Sequence, residues 1–199
     1  MVNGETTSVL SGVTASGATG TNAATYTNTV TGTDNNYNLT LVNGSLVIGK
    51  ANATVTANSS NVTYTGLAQS VSGYTATGLV NNQTIAVLTG VTASGATGTN
   101  AATYTNTLTG TDNNYNLTLV NGSLVIGKAN ATVTANSANV TYTGLAQSVG
   151  GFTASGLVNN ETTSVLGSVT ASGTTGTNAA TYTNTVTGTD SNYNLTLVN

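Results

Sequence analysis

Residues 24–33 read Ala-Thr-Tyr-Thr-Asn-Thr-Val-Thr-Gly-Thr, with threonine at every odd position. Successive side chains of a strand point to opposite faces, so one face is all threonine while Ala24, Tyr26 and Val30 point to the other. Threonine is β-branched and polar, which suits a wet sheet face. Tyr37-Asn-Leu-Thr-Leu-Val42 alternates likewise and runs into Asn43-Gly44, a strong hairpin signal. A two-residue loop there pairs Val42 with Ser45, Leu41 with Leu46 and Leu39 with Ile48. Both leucine/isoleucine pairs then fall on one face, so turn chemistry and hydrophobic pattern agree on the register.

Further strands are predicted over 53–57, 61–66 and 71–79, with a short one from Val91. Asn81-Asn82-Gln83-Thr84 before Ile85-Ala-Val-Leu88 predicts one helical turn with an asparagine cap. Six or so strands punctuated by Gly, Asn and Asp, and no long helix, make the expected fold all-β.

The pattern recurs. Thr14-Ala-Ser-Gly-Ala-Thr-Gly-Thr-Asn-Ala-Ala-Thr-Tyr-Thr-Asn28 returns at Thr92 and, with one change, at Thr170, so both offsets are 78 residues (14 to 92 and 92 to 170). Lys50 and Lys128 keep that offset, as do Asp34, Asp112 and Asp190. A period of this length is enough for a small domain. The expected organisation is an elongated array of tandem small antiparallel β domains, each an immunoglobulin-like sandwich or a β-grasp-like sheet. The seams are placed at Gly49-Lys50-Ala51 and Gly127-Lys128-Ala129. Residues 1–49 are then the C-terminal part of a repeat, 50–127 a complete repeat, and 128–199 a repeat lacking its last strand. Starting and stopping in mid-period, the sequence is expected to be a piece of something longer.

Composition narrows the function. The 199 residues carry a net charge of −3, two Lys and five acidic residues, with no Arg, His, Cys, Pro or Trp. Imidazole bases, thiolate nucleophiles and zinc sites of the usual ligand types are therefore excluded. Two lysines make no surface for phosphates, so no nucleic-acid partner is expected. Apolar residues are 38% of the chain but no run of 18 occurs, so no helical membrane span is expected. Met1-Val-Asn-Gly-Glu5 begins no signal peptide, and any secretion signal or anchor is expected outside this sequence.

Val62-Thr-Tyr-Thr-Gly66, then Gly78-Leu-Val-Asn-Asn-Gln-Thr84, Val87-Leu-Thr-Gly90, Ala102-Thr-Tyr104 and Asn114 to Ile126 follow a recognisable order. It resembles the MBG (mostly-beta, glycine-rich) or YDG-type repeats of large bacterial surface adhesins. One departure is visible: the frequent Tyr-Asp-Gly stands here as Tyr64-Thr65-Gly66 and Tyr142-Thr143-Gly144. A role tied to that Asp is not carried over. The resemblance implies stalk or spacer modules of secreted, cell-surface-anchored proteins.

The copies also form an internal substitution series. Glu5, Gln83 and Glu161 share a register, so a negative charge is dispensable there. Tyr74 becomes Phe152, which keeps the ring and points to packing. Val30, Leu108 and Val186 interchange as core positions do.

Candidate sites each have a plain structural reading. Asp34-Asn35-Asn36-Tyr37-Asn38 begins like a calcium loop but lacks the turn glycine and distal Glu, which favours an Asx turn. Lys50 and Lys128 fit Lys–Asn isopeptide chemistry if a carboxyl lies nearby, and otherwise solvated residues at the seam. Sequons at Asn38, Asn52, Asn61, Asn82, Asn116, Asn130, Asn139, Asn160 and Asn194 allow glycosylation, although an Asn- and Thr-rich chain produces them by chance. The threonine rows over 25–33, 103–111 and 181–189 resemble ice-binding arrays, which need threonine ranks on adjacent strands.

No catalytic, cofactor-binding or metal-binding residue is expected, and the chain is read as no enzyme. One recurring acid per period does not supply the paired carboxylates of glycosidic chemistry. The expected function is a structural stalk or spacer at the bacterial cell surface, projecting a binding tip and contributing to adhesion or biofilm. A self-associating extracellular matrix or filament subunit and an ice-binding Thr-array protein are the alternatives. Expected partners are adjacent repeats of the same chain and homotypic strand-addition contacts at the part-repeats, with no small-molecule substrate.

Overall fold

Threonine and valine, both β-branched, disfavour the helix in alternation and fit a pleated, half-buried surface. In the computed structural model, which describes residues 1–199, they form twenty-one short strands and three single-turn 3-10 helices. The protein is all-β, built of small antiparallel and mixed sheets. No helix is long and apolar enough to cross a membrane.

The chain forms two compact units. The first comprises Met1–Val55, Ala76–Val91 and Thr109–Leu119, and the second Thr56–Thr75, Thr92–Leu108 and Val120–Asn199. In the first, Ala24–Asn28 pairs antiparallel with Gly44–Ile48, and Val13–Ala15 pairs antiparallel with Val30–Gly32. Its buried apolar residues are Ala53, Val55, Leu88, Val91 and Tyr115. The helical turn lies here, at Ile85–Val87. Its cap is Thr84, whose hydroxyl accepts from the Ala86 N–H at 3.4 Å, and not an asparagine. Asn81 and Asn82 instead take left-handed backbone, φ 53° and 54°, which asparagine tolerates better than most residues.

In the second unit Gly122–Gly127 is the central strand of three. It runs antiparallel to Thr103–Asn106 and parallel to Ser60–Thr63. Ala129–Ala135 is likewise central, antiparallel to Phe152–Ser155 and parallel to Tyr193–Val198. Alternation sends Leu124 and Ile126 from one strand, and Ala129, Ala131, Val133 and Ala135 from the other, into one apolar cluster with Tyr64, Leu166, Val186 and Tyr193. Phe152 packs against this cluster, as its ring-conserving exchange with Tyr74 implies. The core therefore continues across the seam at Lys128.

Two expectations are corrected. Asn43-Gly44 and Asn121-Gly122 are not hairpin turns. A type I′ turn needs positive φ at both central residues, and none of these four has it. Gly44–Ile48 pairs instead with the threonine strand, Ala24 opposite Ile48 and Tyr26 opposite Leu46. Asn43 Oδ1 accepts from the Val30 N–H at 3.0 Å and Asn121 Oδ1 from the Leu108 N–H at 2.9 Å, so the asparagine stands in for a ladder partner. The glycine serves close approach. A Cβ on Gly122 would lie 2.3 Å from the Asn58 carbonyl oxygen and 2.5 Å from that of Ala57.

The threonine row is also not one strand. It breaks at Thr29, whose N–H donates to Ser16 Oγ at 2.9 Å, and at Thr107, whose N–H donates to Ser94 Oγ at 2.9 Å. Thr25 and Thr27 face Val47 and Ser45 in one sheet, while Thr31 faces Thr14 in another. Within these rows threonine meets threonine across a ladder in single pairs, Thr31 with Thr14 and Thr187 with Thr170, while an ice-binding plane needs whole ranks.

Candidate functional site

Within the second unit, residues from successive sequence repeats meet around Glu161. Tyr64 lies just past Ser60–Thr63, and its N–H donates to the Gly127 carbonyl at 2.7 Å. Its phenol donates to Glu161 Oε1 at 2.6 Å, and the phenol of Tyr193 donates to Glu161 Oε2 at 2.5 Å. The Tyr193 oxygen also accepts from the Val158 N–H at 2.9 Å. The two rings meet edge to face, centroids 5.4 Å apart and planes at 81°, a favoured aromatic arrangement. Gly66 brings the Tyr64-Thr65-Gly66 turn against the Asn159-Asn160-Glu161 turn: its φ is +75°, and a Cβ there would sit 2.9 Å from the Asn159 Cβ.

Both phenols are pushed up to about 12. For Tyr64 the hydrogen bond to Glu161 is the main cause, followed by burial; for Tyr193 burial leads and the Glu161 bond follows. A phenol that holds its proton more tightly is a hydrogen-bond donor and a poor nucleophile. The chemistry of the cluster is that of a lock.

The same parts recur in the first unit. Tyr115 donates to Gln83 Oε1 and accepts from the Val80 N–H at 3.0 Å. Tyr37 donates to Glu5 Oε2 and accepts from the Val2 N–H at 3.2 Å. The Glu/Gln/Glu register thus preserves an acceptor oxygen, which is why the charge can be dropped.

A second contact between repeats occurs once in each unit with the same geometry. Asn114 Oδ1 accepts from the Ala23 N–H at 2.8 Å, and Asn114 Nδ2 donates to Asn22 Oδ1 at 3.2 Å. Asn192 Oδ1 accepts from the Ala101 N–H at 2.8 Å, and Asn192 Nδ2 donates to Asn100 Oδ1 at 3.3 Å. These asparagines are held by the aspartates that began the calcium-like loops. Asp112 Oδ1 accepts from the N–H groups of Asn114 and Tyr115 at 2.7 and 3.0 Å, and Asp190 Oδ1 from those of Asn192 and Tyr193 at the same distances. Asp34 Oδ1 accepts from the Asn36 N–H at 2.8 Å. The Asx-turn reading is the one the structure adopts.

The lysines meet these loops through backbone. Lys50 Nζ donates to the Asp112 carbonyl and Lys128 Nζ to that of Asp190, both at 2.6 Å, so neither ammonium is simply solvated. The nine sequon asparagines named above are all exposed. Two pairs of their side chains bond to each other, Asn116 to Asn52 at 3.3 Å and Asn194 to Asn130 at 3.4 Å.

Sequence reasoning passed over one residue with a large role. Asn106 is fully buried; its Nδ2 donates to the Asn58 and Gly73 carbonyls at 3.1 and 3.3 Å, and its Oδ1 accepts from the Gly95 N–H at 2.9 Å. Asn184 repeats all three bonds with Asn136, Gly151 and Gly173. The signal was present: in the alternating strand Asn28 and its copies are the polar residue on the inward face. A buried amide is tolerated because every one of its bonds is made.

The fold and joint define a class, a small glycine-punctuated β module that contacts its neighbours in the same chain. Residues 53–125 match the model of the MBG domain family, YGX type, which is the family the sequence resembles. No curated protein and no solved structure matches. The MBG match is consistent with a repeat module of a surface protein.

Proposed function

We propose that this chain is a stalk or spacer module of a secreted bacterial cell-surface adhesin, holding a binding tip away from the cell and so contributing to adhesion or biofilm. In this reading the protein is extracellular and no enzyme, and the 78-residue repeat is its unit of construction. The observation that carries it is the recurrence of one joint: the Asn114–Ala23 and Asn192–Ala101 contacts use the same atoms at the same distances. A spacer needs each added unit to meet the last in the same way, so that reach grows in proportion to copy number. The buried phenol–carboxylate lock adds a contact that solvent and salt hardly screen. Low charge and the lack of Arg fit a surface exposed to proteases and variable salt.

The test varies copy number. Proteins with two, four and six periods are measured by small-angle scattering, and the maximum dimension is expected to rise by equal increments. A radius growing only as that of a compacting globule would reject the reading.

A further inference from the structure

Alternation gives the sheet built on Ala129–Ala135 two unlike faces. Ala129, Ala131, Val133, Ala135 and Tyr193 are buried on the inner one, with Phe152, Ala154 and Leu195 packed against the same cluster. The residues between them point the other way. On that outer face Thr132 stands opposite Ser155 on one side and Thr196 on the other. Thr134 stands opposite Thr153 and Val198, and Asn130 opposite Asn194. Hydroxyls here form ranks across adjacent strands, which the 181–189 row does not. Thr132 is half-buried and its neighbours in the ranks are exposed.

The complete repeat carries the same face in the first unit, so the arrangement is a property of the period. Asn116 Nδ2 donates to Asn52 Oδ1 at 3.3 Å, as Asn194 Nδ2 does to Asn130 Oδ1 at 3.4 Å. Beside that pair Thr54, Thr77 and Thr118 line one shallow depression of about 140 Å³.

The chemistry of the face selects its occupant. None of these outward positions holds a charged or aromatic side chain. Nothing there complements an ion or a charged polymer, and no ring is present for a ligand to stack on. What each threonine offers is a hydroxyl beside a methyl. β-Branching restricts χ1, so the hydroxyls are positioned before anything binds. Strands about 4.8 Å apart, with same-face residues about 6.7 Å apart along each, make a two-dimensional grid. Those spacings are of the size of the oxygen repeats on a crystal face of ice.

The geometry points to this outer face as an ice-binding surface. Thr132, Ser155 and Thr196 form one rank and Thr134 and Thr153 the next, and together they seat an ordered water layer continuous with the crystal. The inference does not rest on the spacer reading, which stands whether or not ice is bound.

The 199-residue chain is tested by partition into slowly grown ice and by inhibition of recrystallisation in frozen buffer. Retention in the ice fraction and suppressed grain growth are expected. The double variant Thr118→Lys, Thr196→Lys sets a long charged side chain at an exposed position of each face, one in each unit. It should lose both activities and melt as the parent does. Thr153→Lys, which spoils the second unit's face alone, should weaken recrystallisation inhibition without abolishing it. Thr27→Lys, on a threonine row without ranks, should keep full activity. Exclusion of the parent chain from ice, or a double variant as active as the parent, would overturn the proposal. So would exclusion from ice with retention on an insoluble neutral polysaccharide, which would give the face to a carbohydrate. Exclusion from ice with mass rising with concentration, lost in the double variant, would likewise overturn it and give the face to a second copy.

Discussion

The phenol of Tyr64 donates to Oε1 of Glu161 at 2.6 Å, across 97 residues of chain. Glu161 also accepts from Tyr193, so a single carboxylate joins side chains of two successive repeats. Glu161→Ala leaves both phenols without their acceptor and is expected to cost about 2–4 kcal/mol, read as a lower denaturation midpoint. Glu161→Gln keeps one acceptor oxygen for two phenols, where Gln83 serves Tyr115 alone, and should cost about half as much. Tyr142→Phe, at the exposed copy of Tyr64, serves as control and should leave the midpoint unchanged.

The two phenols make the fold sensitive to alkali. With folded values near 12 against 10.0 for free tyrosine, the folded state binds their protons more tightly than the unfolded state does. This stabilisation is fully present below pH 10 and is lost as the pH rises from 10 through 12. Near-ultraviolet absorbance of tyrosinate should show Tyr64 and Tyr193 ionising well above pH 10. Tyr64→Phe should remove one late titration. Late ionisation that survives in the Tyr64→Phe, Tyr193→Phe double variant would place the shift elsewhere.

Asn106 bonds three backbone groups from inside the core. Asn106→Ala removes the acceptor of the Gly95 N–H and a donor from each of the Asn58 and Gly73 carbonyls, the latter still accepting from the Asn58 N–H at 3.0 Å, with an expected loss of about 3 kcal/mol. Asn106→Asp keeps the shape but sets a carboxylate oxygen against the Asn58 and Gly73 carbonyls, and should cost more at neutral pH than in acid. Urea denaturation at two pH values distinguishes the variants.

Gly122 and Gly44 occupy the same place in the period and have different surroundings. A Cβ on Gly122 meets two backbone oxygens, whereas on Gly44 its nearest neighbour is the Asn28 Cβ at 3.8 Å. Gly122→Ala is expected to cost about 2 kcal/mol or more through backbone displacement, and Gly44→Ala well under 1. Were both glycines in hairpin turns with positive φ, the two variants would melt alike. Thermal denaturation of the pair decides between the two accounts.

The alternation of Thr with Tyr, Val and Leu specified which side chains share a face, because side-chain direction along a strand is a local property. It did not show the breaks at Thr29 and Thr107, or that 37–42 forms no strand while its copies Tyr115–Val120 and Tyr193–Val198 do. Strand partners are not local. Asn43-Gly44 satisfies the rule for a hairpin, yet its strand joins Ala24–Asn28, and its copy joins strands that begin at Thr103 and Ser60. Pairing that strand with 103–106 and 60–63 buries Leu124 and Ile126 on one face, which a two-stranded hairpin could not do. The same division applies to the joint. The recurrence of Glu5, Gln83 and Glu161 was visible, but only the folded chain brings the last of them to Tyr64. By itself the sequence determined the all-β class, the 78-residue phase, the Asx turns at Asp112 and Asp190, and the family whose model residues 53–125 match. Tertiary structure alone decided which strands pair, which asparagine is buried and which tyrosine is locked, because those outcomes depend on burying apolar faces contributed by residues far apart in the chain.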